Sequence, residues 1–430
     1  LNKEILRLAI PNILSNISVP LLSTVDTALM GRLSAVHIAA VGIGGMIFNF
    51  IYWNFGFLRM GTTGLTAQAY GAKDHSKQAN ILVQAITVAA FLAILVLIFA
   101  SPLMSASESL LNLQADQTAY VRSYFFIRIW DAPASMLLYS LLGWFFGMQN
   151  AIYPLVLTIS INLINILLSY LLVTQYNMDI QGVAWGTVIA QYIGVLLAII
   201  IIKMKYGHVL SYANSPLEQS IDQLKRYLTI NRDIFFRTIC LTLGFGIFYS
   251  QSALLGSDLL AANVVLLLFV NWMSYAIDGF AYATESLVGK YKGSNDNSST
   301  KTAIKKSFFW AAGVAFLISI VYFLGGDYLT SVFTDQPDVI EKVNQYRFWV
   351  VLFPVLAFVC YVWDGVYIGL TATKTMRNAM LLAFFLYLPS LYLGSHYYSN
   401  HGIWAGLLLF MVYRGVIQSW FFYRKGLNMK

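Results

Sequence analysis

At 430 residues, 58% of them hydrophobic and only 11% charged, the chain has too little polar surface to cover a water-soluble globule, in which about 25% of residues are charged. The net charge of +8 does not mark a nucleic-acid binder, because Lys and Arg are spread over short loops and not gathered on one face. The two cysteines, Cys240 and Cys360, fall in apolar runs and form neither a disulfide framework nor a zinc spacing.

Taken in chain order, the apolar runs predict twelve spans, at 5–30, 38–69, 79–101, 120–147, 151–174, 180–202, 229–255, 260–288, 302–323, 345–371, 377–397 and 402–423. Barrel strands would alternate in stretches of roughly ten residues, so the spans are read as helices. The opening LNKEILRLAIPN runs on into the first span without an A-x-A-like site, so no cleaved leader is expected in it. With both termini cytoplasmic, the inner connections carry eighteen of the 27 Lys and Arg, and the outer ones only Arg32, Arg122, Lys342 and Arg347. That bias sets the orientation and supports an even number of spans.

The longest inner connection, 203–228, sits at the midpoint of the chain and predicts an amino-terminal six-helix lobe over 1–202 and a carboxy-terminal one over 229–430. The halves resemble each other. NFIYWNFGFLRMGTTGLTAQAYGA (49–72) lies over NWMSYAIDGFAYATESLVGKYKGS (271–294) at an offset of 222. Gly147 meets Gly369 at the same offset, and QGVAWG (181–186) meets HGIWAG (401–406) at 220. An even number of spans per repeat keeps the halves in one orientation, which gives a parallel repeat. The predicted fold class is therefore an all-α membrane protein of twelve helices in two pseudo-symmetric lobes. Such lobes suit alternating access better than a channel, which more often uses symmetric oligomers of few spans.

Ionisable residues at membrane depth cost about 2.5–3.5 kcal/mol each on insertion scales and are functional candidates for that reason. The first span holds Asp26 within PLLSTVDTALMGRL, with no base within a helical turn or two. A carboxylate in that setting can exchange a proton, or hold a sodium ion if other oxygens converge on it. Candidate partners lie at helical spacing on the fifth span (Asn162, Asn165, Ser169) and the sixth (Thr187, Gln191). Pro11 and Pro20 remove backbone donors from the same span as Asp26, which suggests that protonation is coupled to its bending. Other deep charges read as structural: Arg128 and Asp131 are three apart and can pair, while Arg232, Asp233 and Arg237 begin the seventh span, where the bases can snorkel. In the second half, Asp278 and Glu285 share one helical face and Asp364 lies on the tenth span, predicting a negatively lined, aromatic-rich cavity suited to organic cations. Tyr124 and Tyr139 are the candidate cavity aromatics of the first half.

PLLSTVDTALMGRL, YFFIRIWDAPASMLLYSLLGWFFGMQNAIYPL (124–155), INRDIFFRT (230–238) and LAANVVLLLFVNWMSYAIDGFAYATESLVG (260–289) resemble the multidrug and toxic compound extrusion (MATE) family, in its DinF-like branch. The resemblance covers essentially the whole chain. It implies export of organic cations and other amphipathic drugs, driven by inward flow of protons or sodium ions. It implies no cofactor or metal, no nucleic acid, and a monomer in the lipid bilayer of a bacterial or archaeal inner membrane. Carried over by position, Asp26 is the coupling acid, Asn165 and Thr187 belong to its pocket, and Pro11 is the bending proline. Many relatives have an Asp four residues after the Asn of the fifth helix. Here it is Ser169, which removes charge that would hold sodium and favours the proton. The alternatives are sodium-coupled drug antiport, and flipping of a lipid or lipid-linked oligosaccharide, which would call for a strongly cationic cavity. A membrane enzyme is disfavoured: His37, His75, His208, His396 and His401 are scattered and no nucleophile or metal constellation accompanies them.

Overall fold

The structure is a computed structural model. It describes residues 1–30, 35–111, 113, 115–214 and 221–428, apart from the side chains of 21–28, 30, 35, 115, 116, 327 and 428. Among the described residues there is no strand. Ten helical stretches are long and apolar enough to cross a membrane. The last of them, α14 (Thr373–Lys425), is two spans in one assignment, broken at Ser399, where φ is 51° and ψ −130°. The first helix, α1 (Asn2–Met30), stands outside those ten. Counting α1 and both parts of α14 gives the twelve spans the apolar runs predict.

Contacts divide the chain into two compact units, Leu14–Leu228 and Leu1–Ile13 with Thr229–Lys430. The division falls inside α1. In the first of these units, α2 (Ala35–Asn54) and α3 (Phe57–Gly71) form one broken span. They are followed by α4 (His75–Ile98), the short α5 (Ala100–Leu111) and α6 (Ala115–Arg128). A single 3-10 turn, Ile129–Asp131, leads into α7 (Ala132–Gly147), and α8 (Ile152–Thr174) and α9 (Asp179–Leu210) complete the set. Its core gathers around Trp144, Phe145, Leu141 and Leu157. In the second unit, α10 (Ile221–Ala253), α11 (Ser257–Gly293), α12 (Asn297–Ser331), α13 (Pro337–Gly369) and α14 surround Phe248, Phe353, Trp404 and Phe410. The connection 203–228 is more regular than expected: α9 continues to Leu210 across a kink at Tyr206, and α10 already begins at Ile221.

Lipid offers helices little hydrophobic reason to associate, so close backbone approach at small residues does that work. The repeat is built on it. On α7, a Cβ at Gly143 would meet the Arg59 Cα of α3 at 2.9 Å, and one at Gly147 would meet the Thr63 carbonyl at 2.9 Å. On α13, a Cβ at Gly365 would meet the Ala281 backbone of α11 at 3.1 Å, and one at Gly369 the Glu285 carbonyl at 2.7 Å. All four pairs correspond at an offset of 222. A second crossing recurs too: Gly186 meets Ser169, and Gly406 meets Leu391. The turns also correspond. Lys73 and Asn295 both have φ of 56°, and the next residues, Asp74 and Asp296, cap α4 and α12 by accepting from the Lys77 and Ser299 amides at 2.9 Å. The hydrogen bonds from Ser299 hold the Asp296 carboxyl below its usual range.

These crossings set opposite signs for one kind of substitution. Gly365→Ala should lower the apparent melting temperature of the detergent-solubilised protein, at a cost of about 1–3 kcal/mol from overpacking. Gly313→Ala, in the middle of α12 with nothing within 4 Å of its Cβ, should raise it by up to about 1 kcal/mol from helix propensity.

Candidate functional site

Three polar clusters stand out within the units. The first lies between α8 and α9. Asn165 and Ser169 are both buried, one turn apart on the face of α8 that packs on α9. Gly186 makes this approach possible, since a Cβ there would sit 2.9 Å from the Ser169 amide nitrogen. The Asn165 side-chain amide donates to the Thr187 hydroxyl at 2.9 Å, and that hydroxyl donates to the Val183 carbonyl at 3.1 Å. Thr187 thus has its proton committed, which fixes the orientation of the Asn165 amide and aims its oxygen elsewhere. Asn165 Oδ1 and Ser169 Oγ make no hydrogen bond among the described residues. Buried oxygens left in that state cost about 1–3 kcal/mol each, so their retention calls for a use.

Asn162, one turn earlier on α8, donates from its amide to both the carbonyl and the hydroxyl of Ser18 on α1, at 3.1 Å each. Gln191 is half-buried, one turn beyond Thr187 on α9. The sequence-predicted residues of α8 and α9 therefore come together at one helix pair, and Asn162 ties that pair to α1. The Asp26 side chain lies outside the described residues. Pro11, half-buried, sits in unbroken helix.

A neighbouring cluster in the same unit surrounds Asp131. The 3-10 turn tightens the chain there, and the Arg128 guanidinium lies 3.7 Å from Asp131 Oδ2, as their spacing suggested. Tyr52 donates its hydroxyl to the other oxygen. Arg128 in turn donates to the Tyr124 hydroxyl at 2.6 Å and lies over the Phe48 ring at 4.8 Å. Tyr124 is thereby a structural partner of a charge-balanced group. Tyr139 on α7 is half-buried and within electrostatic reach of Asp131 and Arg59.

In the second unit the geometry corrects the expected negative lining. Asp364 on α13 receives Arg237 of α10, the Arg414 guanidinium of α14 at 2.8 Å and the Gln418 amide at 2.7 Å. Arg237 does not snorkel; it turns inward to this carboxylate. Arg414 is 1% exposed, so its charge stays out of water only because Asp364 opposes it. Asp278 of α11 is half-buried and, like Asp364, Arg237 and Arg414, lies within electrostatic reach of Cys360. Glu285 is buried two turns further along α11. Asp364 is thus no bare acid: two guanidiniums oppose it.

Sequence reading had no means of pairing Arg237 with Asp364 or Arg414 with Asp364, which are 127 and 50 residues apart. It also passed over Asn263. That buried amide donates to Asn400 at 2.6 Å and to Ser252 at 2.9 Å, while its oxygen accepts from Trp404 at 2.8 Å. An Asn in the apolar run LAANVVLLLF was the available signal.

The MatE family model matches residues 11–171 and 234–393. The chain is 36% identical over 421 residues to the DNA damage-inducible protein F of Escherichia coli, covering 96% of this chain and 90% of that protein. Among solved structures, an outward-facing multidrug resistance MATE family transporter superposes with a TM-score of 0.90 at 18% identity, covering 100% of this chain and 97% of the other. The Vibrio cholerae MATE transporter VcmN in its bent form superposes with a TM-score of 0.87 at 20% identity, covering 99% and 97%.

The Asp364 cluster makes an asymmetric prediction. Asp364→Asn strands two buried guanidiniums and should cost about 3–5 kcal/mol, seen as a collapse in monodisperse yield from size-exclusion chromatography. Arg237→Gln leaves Asp364 opposed by Arg414 and should be the milder change by the same assay.

Proposed function

The chain belongs to the MatE family, whose members are multi-pass membrane transporters and not enzymes, and we propose that it exports organic cations and amphipathic drugs across a bacterial inner membrane in exchange for protons. Lobes 1–202 and 229–430, joined through 203–228, are the two halves of the alternating-access machine, with both termini on the cytoplasmic side. Asp26 is the coupling group. The observation that carries this reading is the pair of buried oxygens, Asn165 Oδ1 and Ser169 Oγ, that have no partner among the described residues, beside a Thr187 hydroxyl whose proton is already committed.

Asn165 Oδ1 can only accept, so it favours a protonated carboxyl over an ionised one, and the Ser169 hydroxyl can accept from the protonated form as well. A neutral Asp26 is therefore drawn to the α8–α9 pair, and an ionised one is released toward a cationic drug. Asn162, bonded to Ser18, passes such a movement along α1, and Gln191 extends the polar lining. Pro11 supplies compliance, because the missing amide leaves the Arg7 carbonyl without its helical donor. That VcmN was solved in a bent form is in keeping with a bend within this fold. Ser169 in place of a second acid favours the proton over sodium, since a sodium ion in an apolar site needs more anionic oxygen. The cavity contacts of the drug fall to Tyr139, Asp278 and Glu285, with Tyr124 and Asp364 held as supports of neighbouring charges. Flipping of an anionic lipid-linked sugar is the weaker reading, because the buried guanidiniums of Arg237 and Arg414 are spent on Asp364.

Vesicles containing the purified protein should accumulate ethidium under an imposed proton gradient alone and fail to do so under a sodium gradient alone; the reverse result makes sodium the coupling ion. Asp26→Asn should abolish ethidium resistance in a sensitive host with membrane insertion unchanged, and full resistance in that variant removes Asp26 from the coupling role. Pro11→Ala should slow transport about tenfold while leaving equilibrium drug binding within twofold, and unchanged transport would rule out the bend.

A further inference from the structure

A cavity of about 420 Å³ opens on the surface of the second unit where α12, α13 and α14 end together. Its two sides differ in chemistry. Lys301 and Lys305, one turn apart in the first turns of α12, stand at its mouth, both exposed. Neither is ion-paired among the described residues. The floor is aromatic: Phe308 packs edge-on against Trp363 at 5.1 Å, and Trp363 lies 4.7 Å from Phe422, with Tyr423 at the rim. The Trp363 indole donates to Ser419 at 2.7 Å, so the floor offers no free donor of its own there. Arg424 and Lys425 close α14 beside it, held over the Trp420 and Phe421 rings at 4.8 and 5.6 Å.

We propose that this cavity binds one anionic phospholipid, with its phosphate on Lys301 and Lys305 and the upper part of an acyl chain along Phe308, Trp363 and Phe422. Three observations converge. The lysines are charges without a counter-charge among the described residues, one helical turn apart, a spacing that lets two ammonium groups reach one phosphate diester. The apolar floor lies directly below them, as the head-to-tail order of a lipid requires. The site also lies at the end of a membrane span, Asn297–Gly326, where headgroups sit. On the orientation read from the loop charges, the leaflet is the cytoplasmic one. A soluble phosphate compound would satisfy the lysines and leave the aromatic floor unused. A neutral lipid would fill the floor and leave the lysines unopposed. Occupancy would brace the ends of three helices of the carboxy-terminal unit against one another.

The experiment uses the full-length protein in nanodiscs of phosphatidylcholine with or without phosphatidylglycerol, read by native mass spectrometry of retained lipid and by apparent melting temperature. The expected result is selective retention of one phosphatidylglycerol and a raised melting temperature, with retention reduced about tenfold in a Lys301→Gln, Lys305→Gln double variant. A Lys203→Gln, Lys205→Gln variant, near the end of α9 in the other unit, should retain phosphatidylglycerol as the parent does. Both sets of lysines are exposed, and the melting temperature in pure phosphatidylcholine reports that each variant is folded. Equal retention of phosphatidylcholine overturns the proposal. So does unchanged phosphatidylglycerol retention in the 301/305 variant, and so does inorganic phosphate alone reproducing the full stabilisation.

Discussion

Backbone contact at glycine is the constraint on which the rest of this molecule depends. In an apolar solvent a helix gains nothing by hiding its leucines from lipid that is as oily as they are. It gains by dispersion at short range, and short range demands a missing Cβ. Gly143 and Gly147 let α7 lie on α3, and Gly365 and Gly369 let α13 lie on α11. With these axes drawn together, the side chains beside each crossing have no room for water. Whatever polar atoms occur there must be satisfied by neighbours or stand out as unsatisfied. The same holds at Gly186, where the closeness of α9 to α8 isolates Ser169.

Several buried acids and amides in both units have named partners. Asp131 is held by Arg128 and Tyr52, Asp364 by two guanidiniums and an amide, and Asp233 by Arg377 at 2.7 Å. Asn263 and Asn400 answer each other across α11 and α14. These groups are costly to bury and cheap only while complete, so they act as fixed points. Asn165 Oδ1 and Ser169 Oγ find no described partner, as is also true of Ser307 Oγ and Ser319 Oγ, but the first two lie together at one helix contact, between α8 and α9.

Much of the architecture was legible in the chain. Span positions follow from apolar length, and the repeat from the recurrence of Asn49, Gly71 and Gly147 at 222 residues' distance. The pairing of Arg128 with Asp131 followed from helical spacing. Contacts made across the sequence were not legible. Arg237 reads as a snorkelling base at a helix start because nothing local says that α13 brings a carboxylate to it. The free acid inferred at Asp364 failed for the same reason: counting charges along helices omits which of them face one another. Breaks inside spans, at Phe55–Gly56 and at Ser399, escaped notice because hydropathy does not register a change of backbone direction.

The partition of α1 bears on the order in which the protein can be assembled. Its first thirteen residues belong with 229–430. Glu4 accepts from the Lys290 ammonium at 2.7 Å and from the Tyr291 hydroxyl at 2.8 Å, and Ala9 and Ile13 lie against Gly279. Those partners are synthesised some 270 to 290 residues after the segment they hold. A segment made early is thus held by partners made much later. Until α11 is made, Ile5, Leu8 and Ala9, all buried in the finished molecule, have only lipid for company. A contact of such long sequence separation contributes to stability and almost nothing to early folding, so the amino-terminal turns close the structure rather than start it.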